Sequence, residues 1–299
     1  MIEYICEFLK MNDVEYDENL NLSDISPIKI GGKASVVAYP CCNYQYLQIL
    51  RFLGKANYKY KILGRMSNVL PSDDGFNGVV VKTDRMRSIT KDKNVISVSA
   101  GTSLYYVAMT TAELGLSGAE ELSGIPGSVG GAIYNNAGAF GREISDIITC
   151  VSIYDPVSDS VYSLSTAELH FAYRTSVFST RPWVIISATL ALSDADSNSI
   201  NARIKEFVRI RRQTQPLGEM SLGSTFKRPS PSLAASLLID KCGLKGYTVG
   251  GASVSNKHAG FIVNNKNATA SDYLSVAEHV VDNVKEKFGV VLEKEIELL

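Results

Sequence analysis

Six glycines fall within 18 residues, Gly124, Gly127, Gly130, Gly131, Gly138 and Gly141, and this density rules out a regular helix or strand interior. Glycine inside such an element costs about 0.5–1 kcal/mol relative to alanine, so the stretch, with Pro126 and two asparagines, is a system of loops. Such a loop brings main chain close to a ligand and aims N–H donors at phosphate oxygens, with Ser128 adding a hydroxyl. A tightly packed structural turn is the alternative reading. The entropy lost in ordering so many glycines favours the ligand.

The flanking sequence alternates between short Val- and Ile-rich runs and helical patterns, as α/β or α+β domains do. The first 20 or so residues read as a helix. Residues 34–39, 78–82, 94–99, 150–154 and 183–192 read as strands, and residues 104–114 as a helix after the cap candidates Thr102 and Ser103. A composition break near residue 195 precedes a polar entry into a helix over 197–212. Residues 233–242 suggest a helix ended by Gly243, and residues 261–264 a strand. The clearest helix covers 269–288, with Leu274, Ala277, Val281, Val284 and Phe288 on one face, Thr269 and Asp272 as cap and Gly289 as stop. The tail over 290–299 alternates like a strand.

Several function classes drop out. Thirty Lys plus Arg balance 31 Asp plus Glu, so no global field draws the chain to nucleic acid or anionic lipid. No apolar run reaches the roughly 18 residues of a spanning helix. The acidic N-terminal residues do not resemble a secretory signal. Five cysteines, Cys6, Cys41, Cys42, Cys150 and Cys242, fit no disulfide or metal framework, which points to a reduced cytoplasmic compartment and no metal. The glycine spacing is not the dinucleotide fingerprint. Residues 31–35 are not a P-loop, because Ala34 stands at the magnesium-binding position and Pro27 at the upstream glycine. A Gly-x-Ser-x-Gly elbow is absent from the sequence. Of three histidines, His279 sits in a charged helical context and reads as solvated, and His170 as structural. His258 reads equally as packing or functional.

Motifs spread over residues 28–296 carry a resemblance. They are Ile28-Lys-Ile-Gly-Gly-Lys-Ala34, Gly124-Ile-Pro-Gly-Ser-Val-Gly-Gly-Ala132, Asn136-Ala-Gly-Ala-Phe-Gly141, Tyr173-Arg-Thr-Ser176 and Gly223-Ser-Thr-Phe-Lys227. Gly243-Leu-Lys-Gly-Tyr247, Lys257-His-Ala-Gly-Phe-Ile-Val-Asn264, Asn267-Ala-Thr-Ala270 and Leu292-Glu-Lys-Glu-Ile296 follow in order. With these, the chain resembles the UDP-N-acetylenolpyruvoylglucosamine reductase family. Only a few residues separate Ser176 from the strand near Trp183, so it is similar to the shorter class, which lacks a tyrosine-bearing lid insertion.

The resemblance implies an α+β fold: a two-subdomain FAD-binding region of the vanillyl-alcohol-oxidase type over 1–195, divided near residue 85, and a C-terminal α/β substrate domain over 196–299. It implies that NADPH reduces FAD, and that flavin N5 then passes hydride to the enolpyruvyl methylene of UDP-N-acetylglucosamine enolpyruvate. Arg174, Ser224 and Glu295 match the catalytic positions: Ser224 as proton donor, Arg174 as the charge that steadies the enolate, Glu295 as the completing carboxyl. Read without the family, they are a turn cap, a surface ion pair and a water-facing acid. FAD is expected on Gly64, Arg65, Ser67 and Asn68; on Gly124, Ile125, Pro126, Gly127, Ser128, Gly130, Gly131 and Ala132; and on Asn136, Gly138 and Ala139. Tyr173, Lys227 and Arg228 are the expected substrate contacts, and the expected enzyme is a cytoplasmic monomer. A different flavoenzyme on this fold, or an inactive flavin-binding protein, are the rival readings.

The family's usual Gly-Gly-Gly-Ser-Asn turn appears here as Gly64-Arg-Met-Ser-Asn68, and Arg228 and Ser253 also depart from the family's common residues. A positive φ at Arg65 or Met66 would cost roughly 1 kcal/mol or more. In a regular turn, Arg65 instead adds a cation near the flavin phosphates. Arg65→Ala is then expected to weaken FAD binding and flatten its salt dependence in a titration of flavin fluorescence. Unchanged affinity at every salt concentration would remove Arg65 from the phosphate site.

Overall fold

A computed structural model describes residues 2–299. The chain divides into two compact units. Met1–Glu18, Val36–Arg65 and Gly78–Ile210 form the first, and Asn19–Ser35, Met66–Asn77 and Arg211–Leu299 the second.

In the first unit, Ser160–Ser165, Ile148–Asp155, Val184–Ala191, Val95–Ser99 and Ile89–Asp92 form a five-stranded sheet in that order, with every pairing antiparallel. Helix Leu104–Glu113 is capped by the Ser103 hydroxyl, which accepts from Tyr106 N–H at 3.1 Å. Its Leu104, Val107, Ala108 and Ala112 join Ile96, Val98, Val151 and Leu190 in a single apolar core. A second sheet runs Glu15–Asn21, Lys33–Tyr39, Phe76–Lys82, Tyr60–Leu63, the last pair parallel. Helices Ile2–Met11 and Asn43–Lys55 bury Leu9, Tyr46, Ile49 and Leu53 against Val36, Val79 and Val81.

The second unit holds the antiparallel sheet Met220–Ser224, Phe261–Asn264, Ala252–Val254, Thr248–Val249. Helices Ala235–Lys241 and Ala270–Phe288 share its core. Side chains that accept or donate to backbone draw the early segments in. Asn264 Nδ2 donates to Ile28 O at 2.9 Å, and Asp73 accepts from Ala270 and Ser271 N–H at 2.7 and 3.1 Å. Gly75 lies so close to Lys33 that a Cβ would fall 2.1 Å from the Lys33 carbonyl oxygen, and its φ is +77°. Only glycine fits there.

Three sequence expectations change. The N-terminal helix ends at Met11, because Val14 N–H returns to Leu9 O at 2.9 Å and Asp13 turns left-handed, after which the chain enters a strand. The long C-terminal helix has its Thr269–Asp272 capping box and left-handed Gly289, but its buried face is rotated onto Tyr273, Val276, Val280 and Val284, leaving Phe288 exposed. In the tail only Glu297–Leu298 is strand, parallel to Val69–Leu70.

Thr225 Oγ1 and Tyr273 Oη, both fully buried, share a 2.9 Å hydrogen bond, and burial holds the phenol well above its ordinary pKa. Tyr273→Phe strands the threonine hydroxyl and is expected to cost about 1–3 kcal/mol. Adding Thr225→Val should recover much of that loss; urea unfolding of the two single variants and the double variant checks it.

Candidate active site

The glycine-rich loop is anchored before it offers anything to a ligand. Gly130 N–H donates to Ala100 O at 2.7 Å, and Val129 N–H donates to Thr102 O at 2.8 Å. Ser128 caps the short helix Val129–Tyr134, its Oγ accepting from Gly131 N–H at 3.3 Å. That same Oγ faces Gly64 so closely that a Cβ at position 64 would lie 2.2 Å from it. The two turns expected to hold the cofactor therefore abut within the first unit, with no side chain between them at Gly64. Ser128 and Ala132 are buried, Ile125 packs partly against the core, and Pro126 is exposed.

A buried cation lies beneath this cradle. Lys82 Nζ donates to Gly64 O at 3.1 Å and pairs with Asp84 at 2.5 Å, its side chain 5 % exposed. Burial pushes its pKa down, and the Asp84 carboxylate works against that. Sequence reasoning passed over Lys82, although a lysine closing the run Val79-Val80-Val81 is the signal that could have found it.

Arg174 occupies a tight turn, closed by Ala172 N–H to Thr175 O at 3.1 Å and Thr175 N–H to Ala172 O at 3.2 Å. Its φ is +53°, at roughly 1–2 kcal/mol for a non-glycine residue. The guanidinium donates to Asn136 O and Gly138 O, both at 3.3 Å, and lies 4.9 Å from the ring centre of half-exposed Tyr173. Gly138–Ala139 pairs with Arg142–Glu143 in a small hairpin.

Ser224 and Glu295 belong to the second unit and lie on neighbouring segments. Ser221 pairs with Val263 but Ser224 with Phe261, a bulge in which Gly223 adopts φ +79°. The bulge re-aims the strand end, and Ser224 is exposed. Glu295 N–H donates to Thr225 O at 2.8 Å, and Asn68 Nδ2 donates to Glu295 O at 3.0 Å. Asn68 thus orients Glu295 through the main chain. Met66, also in this unit, takes the left-handed φ of +56°, and Arg65 does not; the departure from glycine falls on Met66, which is buried. Lys227, an expected substrate contact, is paired with Glu293 at 2.5 Å, and Arg228 is exposed. His258 has a packing role: its Nδ1 accepts from Gly260 N–H at 3.1 Å and its ring meets Phe261 edge-on. His279, read as solvated, stacks on Tyr247 with ring centres 3.8 Å apart. Among the described residues no cluster of three or more His, Cys, Asp or Glu is placed to hold a metal, and no helix is long and apolar enough to cross a membrane.

The chain has counterparts among known proteins. Residues 34–159 match the FAD binding domain model, and residues 215–299 match that of the UDP-N-acetylenolpyruvoylglucosamine reductase C-terminal domain. The chain is 38% identical over 299 residues to the UDP-N-acetylenolpyruvoylglucosamine reductase of Caldanaerobacter subterraneus subsp. tengcongensis, covering 100% of this chain and 98% of the relative. It is 37% identical to that of Streptococcus suis, covering 96% and 94%. The crystal structure of the Thermus caldophilus reductase matches with a TM-score of 0.79 and 31% identity, over 95% of this chain and 98% of that one. Berberine bridge enzyme from Eschscholzia californica shares the fold alone, at 13% identity and a TM-score of 0.51 over 64% of this chain and 44% of its own.

Glu120, in the short turn Glu120–Leu122 that precedes the loop, is 1 % exposed. Its carboxylate accepts from Ser117 Oγ at 2.7 Å and Gly118 N–H at 2.6 Å and pairs with Arg203 at 3.3 Å. Burial alone would raise its pKa, but these hydrogen bonds and the arginine together hold it below the ordinary value. A depressed carboxylate stabilises the fold above its unfolded pKa, and the contribution is lost as pH falls through the folded one. Glu120→Gln is therefore expected to lower Tm at neutral pH and to flatten the decline of Tm between about pH 5 and pH 3; thermal melts across that window check it.

Proposed function

Because the chain belongs to the UDP-N-acetylenolpyruvoylglucosamine reductase family, we propose that it is an FAD-dependent oxidoreductase of peptidoglycan precursor synthesis. It reduces UDP-N-acetylglucosamine enolpyruvate to UDP-N-acetylmuramate with NADPH as co-substrate, acting as a cytoplasmic monomer. Within the structure, the reading is supported by the Gly223 bulge, which leaves Ser224 exposed, and by the neighbouring segment, where the Glu295 main chain is bonded to Thr225 O and Asn68.

The residues present fit FAD. The Gly64–Ser128 approach is a cradle that a Cβ would fill. Gly64 and Arg65, the loop from Gly124 to Ala132 and Gly138 and Ala139 would hold the cofactor, with Ser67 and Asn68 following in the same turn. With Val129 and Gly130 N–H already bonded to carbonyls, the donors for a phosphate come from the peptides before them and from the Gly64 turn. When bound and reduced by NADPH, FAD supplies hydride from flavin N5 to the enolpyruvyl methylene carbon.

Negative charge then develops on the adjacent carbon and the substrate carboxylate, and this chain must balance it. Arg174 supplies a charge that is permanent at any working pH. Ser224 delivers the proton to the carbon, and Glu295 completes the set. Lys227 and Arg228, with Tyr173, hold the substrate; Lys227 exchanges Glu293 for the substrate's anionic group.

The test is an anaerobic one. The FAD-loaded protein is reduced with one equivalent of NADPH, and UDP-N-acetylglucosamine enolpyruvate is added while flavin absorbance is recorded. Prompt return of the yellow oxidised flavin with UDP-N-acetylmuramate formed is the expected result, and Ser224→Ala is expected to slow it at least about 100-fold. Reduction by NADPH without reoxidation by this substrate would mark a different flavoenzyme.

A further inference from the structure

Asn136 stands among the residues that the family resemblance assigns to the flavin, yet its side chain is committed elsewhere. It is 1 % exposed. Nδ2 donates to Glu143 Oε2 at 2.7 Å and to Ala172 O at 3.1 Å, and Oδ1 accepts from Ser145 N–H at 3.3 Å. Both amide protons and one acceptor site are thus used inside the protein. Both groups that accept from Nδ2 lead to Arg174. Ala172 O is the carbonyl that closes the turn on which Arg174 sits, accepting from Thr175 N–H as well. Glu143 Oε1 lies 3.9 Å from Arg174 Nη1. The Asn136 main-chain carbonyl itself accepts from Nη1 at 3.3 Å.

We propose that Asn136 is a positioning residue for Arg174 rather than a flavin contact: one side chain and its own carbonyl fix both the turn and the guanidinium. This rests on the reading of Arg174 as the charge that balances the enolate. The physical argument is local. Arg174 sits in a left-handed conformation, which its surroundings must enforce, and its side chain is 18 % exposed. Asn136, at φ +41°, ties the turn to the hairpin that bears Gly138 and Glu143. Release of Ala172 O would let the turn relax and the guanidinium drift. A misplacement of about 1 Å is enough to slow a positioned reaction about 100-fold.

Two variants test this. Asn136→Asp keeps the shape and tolerates positive φ but loses both donors and faces Glu143 with like charge. Asn136→Gly keeps the backbone conformation and adds no charge, and it reads the same loss should the aspartate variant fail to fold. For each, FAD affinity is measured by quenching of flavin fluorescence, and the reaction by steady-state kinetics and by anaerobic reoxidation with the enolpyruvyl sugar. The expected result is unchanged FAD affinity, kcat and kcat/KM lowered together by about 10- to 100-fold, and no added loss when the substitution is placed on Arg174→Ala. Lost FAD affinity with normal reoxidation at saturating FAD would overturn the proposal and make Asn136 a cofactor contact. An equal further loss in the Arg174→Ala background would also overturn it, since the effect would not pass through Arg174. If Arg174→Ala alone reoxidises normally, the role of Arg174 fails first, and the proposal falls with it.

Discussion

Two hydrogen bonds, Gly130 N–H to Ala100 O and Val129 N–H to Thr102 O, hold the glycine-rich loop against the end of strand Val95–Ser99, and the cradle proposed for the cofactor depends on them. They draw the loop so close that a Cβ at Gly130 would stand 3.1 Å from that of Ala100. They also set Ser128, whose hydroxyl turns back onto Gly131 N–H and abuts Gly64. Glycine here serves close approach more than donation, because the first N–H groups of the short helix Val129–Tyr134 are already satisfied. Lys82 completes the support from below by holding the Gly64 carbonyl.

Around this frame the backbone is strained at residues that are not glycine. Met66, Asn136, Phe140 and Arg174 all have φ between +41° and +56°. Asparagine bears this readily; the other three cost roughly 1–2 kcal/mol each. Each is held by a separate contact: Met66 is buried, Phe140 packs on Phe207 with ring centres 4.6 Å apart, and Arg174 donates to two carbonyls. Strain of this kind persists only where the surroundings over-determine it. That Arg174 is so held is what an electrostatic role asks of it, since a charge that must be in place before the reaction cannot also reorganise during it.

What was legible in the chain was local. The glycine loop, the Ser103 cap and the Thr269–Asp272 box are each written within a few residues, and the structure has them where the residues put them. The composition of the second unit was not legible. Asn264 reaches Ile28 across 236 positions, and Asp73 reaches Ala270 across 197; neither asparagine nor aspartate announces a partner at such distance. The buried face of helix Ala270–Phe288 was misread for a related reason. Tyr273 is the central buried residue because Thr225, far off in sequence, meets its hydroxyl, and periodicity alone gives a tyrosine no preference for the core. For the proposed site, motif order pointed to Ser224, Arg174 and Glu295, but the local contacts that hold each of them, the Gly223 bulge, Asn68 on Glu295 O and the carbonyls around the Arg174 guanidinium, are properties of packing.

The second unit also constrains the chemistry proposed for it. A serine hydroxyl is a weak acid, and the segment holding Glu295 runs beside the one holding Ser224, pinned by Thr225 O on one side and Asn68 on the other. A carboxylate within reach of that hydroxyl would oppose loss of the serine proton, as any nearby like charge opposes formation of an anion. A neutral carboxyl has the opposite effect, because it can donate a hydrogen bond to the alkoxide left behind. Proton delivery by Ser224, as proposed, therefore asks that any carboxyl reaching its hydroxyl be neutral at the moment of transfer.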